Sequence, residues 1–120
     1  MKYAVSALVL VCALAGCSKS NDLHDAMEDM KGPFKTMRES DDIAQIQLQI
    51  TSFKEAVAKA TEQKVKAEDQ ATFDEGMNEL ASLLAQAETA LASGDLTSAK
   101  DLMKKMGGAR KQYHDDLGVK

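Results

Sequence analysis

The chain has 120 residues, enough for one domain of ordinary size, with 44% hydrophobic but only 4% aromatic residues, a single proline and 7 methionines. That is helix composition, not sheet composition. The charge balance, 15 basic against 19 acidic residues, disfavours nucleic acid as a partner and favours a basic docking surface or a small ligand.

The first element in chain order is a targeting segment. Lys2 supplies a positive start, and Ala4 to Leu14 form an apolar run too short to span a bilayer. It ends in "LAGC", where Leu14, Ala15, Gly16 and Cys17 resemble the bacterial lipoprotein signal; the plainer alternative is a secretory leader with a coincidental cysteine. The resemblance implies cleavage before Cys17 and diacylation of its sulfur. Residues 1–16 then leave as signal peptide, residues 17–21 are lipidated Cys17 and a short tether, and residues 22–120 are the folded domain. The 104 remaining residues have 14 basic against 19 acidic groups, a net charge of −5. With Cys12 removed and Cys17 capped by lipid, no free thiol, disulfide or Cys-x-x-Cys-His haem attachment remains.

Four apolar stripes follow. The first is Leu23, Met27, Met30, Phe34 and Met37, at spacings that put all five on one helix face. "ESDD" then breaks the pattern, and Asp42 with Gln45 three residues on predicts a capping box. The second stripe is Ile43, Ile46, Ile50, Phe53, Val57 and Ala60, and the polar "TEQKVKAEDQAT" reads as a connection. The third is Phe73, Met77, Leu80, Leu84, Ala87 and Leu91, ended by Gly94 at the C′ position. The fourth is Ala99, Met103, Met106, Arg110, Tyr113 and Leu117. Strand alternation is absent. Four amphipathic segments with short connections predict an all-α fold, an antiparallel up-down-up-down four-helix bundle.

In that topology the start of the first helix and the end of the last lie side by side. Met27 and His114 then stand at similar depth on facing helices. A thioether opposite an imidazole is the ligand pair of a six-coordinate haem. Two simpler readings stand beside it: Met27 as one of six core methionines of the mature chain, and His114 as a partner for the helix macrodipole. The geometry permits the haem without demanding it.

The stretches "DLHDAMEDM" and "ARKQYHDD" resemble the two chain ends of the cytochrome b562 family, periplasmic four-helix-bundle b-type cytochromes. The likeness runs from Asp22 to about Gln63 and from Phe73 to Asp116. It implies an electron-transfer protein, not an enzyme, binding one haem b (iron protoporphyrin IX). The axial ligands it implies fall on Met27 and His114, with the family's arginine and tyrosine on Arg110 and Tyr113. A related family with covalent haem would carry cysteines at 110 and 113, so the resemblance implies non-covalent haem here. The pocket expected from the topology is Phe73, Met77, Met30 and Phe34 with Val57 and Ala60. Arg110 on its inward stripe has a haem propionate as natural partner, or else snorkels to solvent.

Other features qualify this picture. Pro33, in Gly32-Pro33, should kink the first helix, opposite Gly107-Gly108 in the fourth; Gly108 and Pro33 are expected to form a matched pair. His24, Met27 and Met30 are spaced for a Cu(I) site, but His24 lies off the apolar stripe. Only Ser18, Lys19 and Ser20 separate Cys17 from the expected helix cap, a reach of roughly 10–15 Å. The expected protein is therefore a periplasmic monomer held to a membrane through Cys17, the outer membrane by the residue Ser18, with its haem end towards membrane-associated redox partners. A haem-free bundle lipoprotein acting as a structural or binding module is the alternative.

Overall fold

A computed structural model describes residues 19–119, with side chains from Asp22 onward; the leader and the Cys17 lipid site lie outside the described residues. Four helices follow in order: α1 (Lys19–Glu39), α2 (Ile43–Thr61), α3 (Ala67–Ala92) and α4 (Leu96–Leu117). The described residues contain no strand. None of their helices is long and apolar enough to cross a membrane.

The helix ends follow from local chemistry. Asp42 caps α2 by accepting from the Ala44 and Gln45 backbone N–H groups, at 3.0 and 3.4 Å. The reciprocal arm of the expected capping box runs through a third residue. The Asp42 N–H donates to the Ser40 hydroxyl at 3.0 Å, which donates to Gln45 Oε1 at 2.9 Å. α3 ends as expected at Gly94, whose φ of 77° places it in the left-handed region. The Gly94 N–H bonds the Leu91 carbonyl and the Asp95 N–H bonds the Ala90 carbonyl, which is the Schellman pattern. Asp95 at once caps α4, accepting from the Ser98 N–H and hydroxyl; these bonds hold its carboxyl below the usual range.

Two boundaries differ from the sequence expectation. α1 begins at Lys19, so Lys19 and Ser20, which the spacing placed before the helix, belong to it. α3 begins at Ala67, so the connection is residues 62–66 and "AEDQAT" is helical. Glu68 and Asp69 favour that start because they meet the positive end of the helix, and Gln70 Oε1 accepts from the Val65 N–H at 3.1 Å. Pro33 lies inside α1, as expected, and its ring removes one backbone donor without ending the helix.

Short connections force consecutive helices to pack antiparallel. Met37, Ile46, Leu91, Met103 and Met106 are the largest fully buried side chains. Each removes enough apolar surface from water to contribute about 1.5–3 kcal/mol. No polar or charged residue is buried among the described residues. Packing around the bundle is uneven. α1 lies close against α2 and α3 close against α4, and the two hairpins join along α2 and α3, but α1 and α4 scarcely meet. A polar link between them is Lys100, only 23% exposed in its side chain. From α4 its Nζ donates to the carbonyls of Met37, Arg38 and Ser40 at the C-terminal end of α1.

Candidate functional site

Where α1 and α4 part, a cleft of about 780 Å³ opens along the flank of the bundle. Its apolar lining comes from all four helices, including Met27, Met30 and Phe34 of α1, Phe53 of α2, Phe73 and Met77 of α3, and Met103 and Met106 of α4. The six expected site residues other than Arg110 all line it, and so does Arg110. Phe34 and Phe53 pack at 5.7 Å between ring centroids, tilted by 31°. The cleft also explains the incomplete burial of the first stripe. Ala26, Met30 and Met37 are buried, whereas Met27 and Phe34 are half-buried because they wall an open space.

Several residues sit differently from expectation. Val57 and Ala60 are buried in the core but do not line the cleft; Phe53, one to two turns earlier on α2, does. Arg110 is exposed at the cleft rim rather than buried on the stripe; Ala109 beside it is buried instead. The flexible Arg110 side chain carries its charge to water, where hydration is cheapest. Gly108 is exposed and has nothing near it, so it is not the partner of Pro33. Gly107 is the glycine that faces α1: a Cβ built there would meet the Phe34 ring at 3.9 Å, so its bare backbone leaves the cleft that much wider. His24 is 71% exposed beside Glu28 and does not line the cleft with Met27 and Met30, which removes it from a shared copper site.

His114 projects from the last two turns of α4, and two devices orient those turns. The first is Gly76 on α3. A Cβ there would lie 2.9 Å from the Tyr113 ring, so only glycine lets that ring rest on the α3 backbone. The Tyr113 hydroxyl then donates to Glu79 Oε2 at 2.9 Å, and this bond, aided by burial and nearby carboxylates, pushes the phenol up to about 12. With Tyr113 fixed against α3, the next residue is turned about 100° further round the helix. The second device is the C-terminal cap. Gly118, at φ 72°, closes another Schellman pattern in which the Val119 N–H bonds the His114 carbonyl at 2.8 Å.

The His114 imidazole is half-buried, and burial first, then the Arg110 charge, lowers its pKa from the ordinary value, with Asp115 opposing. The ring is therefore held in its neutral form near neutral pH, with a lone pair free to ligate. No hydrogen bond from the described residues contributes to that shift. Neither Gly76 nor Lys100 was visible as functional in the sequence. A glycine within a helical stripe was the one signal that could have marked the Tyr113 contact.

An antiparallel bundle split along one flank by an apolar cleft, with a thioether and a neutral imidazole among its walls, defines a class: a four-helix bundle shaped to hold a flat, largely apolar prosthetic group. Residues 22–117 match the family described as cytochrome b562, and the chain belongs to that family. Its members are haem-binding electron-transfer bundles, not enzymes, and the family implies a b-type haem. No curated protein matches the chain. The residues present fit that group. The cleft is apolar within and cationic at the rim, it is widened by Gly107, and its donor set of sulfur and neutral imidazole suits haem iron.

Proposed function

We propose that this chain carries single electrons in the periplasm by binding one haem b non-covalently, with Met27 and His114 as its axial ligands. The observation that carries the reading is the presence of both side chains, half-buried, in the lining of one cleft between α1 and α4. When bound, haem supplies the one-electron Fe(III)/Fe(II) couple, and thioether–imidazole ligation raises its potential. The chain supplies the rest. Met27 and His114 would hold the iron, and ligation by both would disfavour oxygen binding. Phe34, Phe53, Phe73, Met30 and Met77 line the cleft and would exclude water from the group held there. Arg110 stands at the rim to pair with a propionate. The apolar inner walls, with the charged residues kept to the mouth, favour a small reorganisation when an electron arrives or leaves. The lipid on Cys17 holds the molecule at a membrane, the outer membrane by its Ser18, and the helix that carries Met27 begins at Lys19, directly after this anchor.

The test is an absorption spectrum of the protein reconstituted with haem. A low-spin b-type spectrum on reduction is expected, with the low-spin bands lost in Met27→Ala and in His114→Ala. A folded, colourless protein would instead make it a haem-free bundle module.

A further inference from the structure

The chain is acidic, yet the mouth of its cleft is not. Lys31, Lys35 and Arg38 of α1 and Lys104 and Arg110 of α4 line it, against a single carboxylate, Glu39. Residues 22–119 hold 12 basic and 19 acidic groups, so the rest of that surface carries 7 basic against 18 acidic. The polarity of the molecule is thus segregated, with a positive collar on one flank of a negative body.

The collar is also arranged and free. Lys35, Arg38 and Lys104 are exposed and none forms an ion pair among the described residues; Arg110 is exposed as well but is the cation assigned to a haem propionate, and Lys31 pairs with Glu28 at 2.9 Å. Arg38 is steadied over the Phe34 ring at 5.6 Å, which keeps its guanidinium beside the opening. The α1 cations span seven residues and the α4 pair six, about 9–10 Å along each wall. Because the helices are antiparallel, Lys31 stands near the level of Arg110, and Arg38 near that of Lys104. The second level lies eleven residues from Met27, about 16 Å along α1. It is therefore well removed from the ligand level and has no role in holding the iron.

We infer that this collar is the docking face for the acidic surface of a redox partner protein, seated over the cleft mouth. The inference rests on the electron-carrier reading and names the partner's chemistry. A negative partner face is drawn to the collar and repelled by the remainder of the molecule, so the field orients the encounter as well as accelerating it. The orientation brings the partner to the α1–α4 flank, where the bundle is open. An anionic lipid surface fits less well, because the cations run up the side of the bundle away from the end where α1 starts.

The test uses two small oxidants of opposite charge against the reduced haem protein, each taking one electron from it: hexacyanoferrate(III), which becomes hexacyanoferrate(II), and tris(phenanthroline)cobalt(III), which becomes the cobalt(II) complex. If the collar governs approach, hexacyanoferrate(III) reacts fastest at low salt and slows about tenfold as salt rises from about 10 mM to 0.5 M, while the cobalt complex shows the opposite trend. If the net charge of −5 governs, the two trends exchange, and the inference is overturned. Lys35→Gln/Arg38→Gln/Lys104→Gln should abolish the preference for the anion. A second measurement does not depend on haem. Hexaglutamate titrated into the isotopically labelled protein should shift amide resonances of residues 31–38 and 104–110, reversibly with salt and not in the triple variant. Shifts elsewhere, no shifts, or binding to phosphatidylglycerol vesicles but not to the peptide would each overturn it. A protein that takes up no haem but shows the peptide map refutes the electron-transfer reading while leaving an acidic-partner docking face established.

Discussion

Lys100→Met removes the polar link that draws α1 and α4 together. α1 ends without a glycine cap, and the last carbonyls of a helix have no partner within it. Here an ammonium from another helix serves three of them, those of Met37, Arg38 and Ser40. A hydrogen bond to a charged group is worth about 1.5–3 kcal/mol, and three that share one ammonium charge come to about 4 kcal/mol, less than their sum. Releasing the ordered lysine regains up to about 2 kcal/mol of rotamer entropy. Methionine keeps the apolar stem, so the packing term nearly cancels. The net loss comes to about 2 kcal/mol. For a domain of about 100 residues this lowers Tm by about 8–16 °C. Lys54→Met is the control, because its pair with Glu88 at 3.1 Å is between side chains 53% and 38% exposed. That variant should cost about 0.5 kcal/mol or less. Thermal melts followed by circular dichroism, with urea midpoints beside them, measure both. If Lys100→Met shifts the midpoint no further than Lys54→Met does, the clamp contributes nothing and the reasoning is refuted.

Two further outcomes test the devices that orient α4. Gly76→Ala places a Cβ about 2.9 Å from the Tyr113 ring, so the ring must move, the bond to Glu79 must lengthen, and the phenol must fall from about 12 towards 10; an ultraviolet titration reads this, and an unchanged phenol would contradict the contact. His114 yields a pH dependence in the haem-free protein. Its folded pKa lies below 6.5, so below that pH the unfolded chain binds more protons, and stability rises with pH through the window between the folded and unfolded values and is fully present above it. Urea midpoints from pH 5 to 7 should therefore climb more steeply for the parent than for His114→Gln, and parallel profiles would show that burial of His114 does not perturb it.

Much of the architecture was legible before any coordinates. The stripes of α2 and α3 predicted the buried Ile46, Ile50, Phe53, Leu84 and Leu91, because a helix that must bury one face records that face at every third or fourth residue. Gly94 and Asp42 were readable as a stop and a start, since a left-handed cap and a side-chain acceptor are local requirements. The pairing of Met27 with His114 in one cleft was readable from topology together with family resemblance. Arg110 misled because periodicity assigns a face to the backbone, whereas a long side chain places its charge where it chooses. The start of α3 misled because its polar first turn is stabilised by dipole and capping, which leave no apolar period.

The sequence by itself determined the four helices, their order and the faces they bury, for these depend on interactions within about one turn and on an alternation that any core imposes. Only the tertiary structure decided that α1 and α4 stay apart, that Gly107 rather than Gly108 faces the opening, that Lys100 links the far end and that five scattered cations converge on one mouth. Those facts arise between residues tens of positions apart, where the deciding quantity is the rotation of one helix against another, and no local pattern encodes that angle.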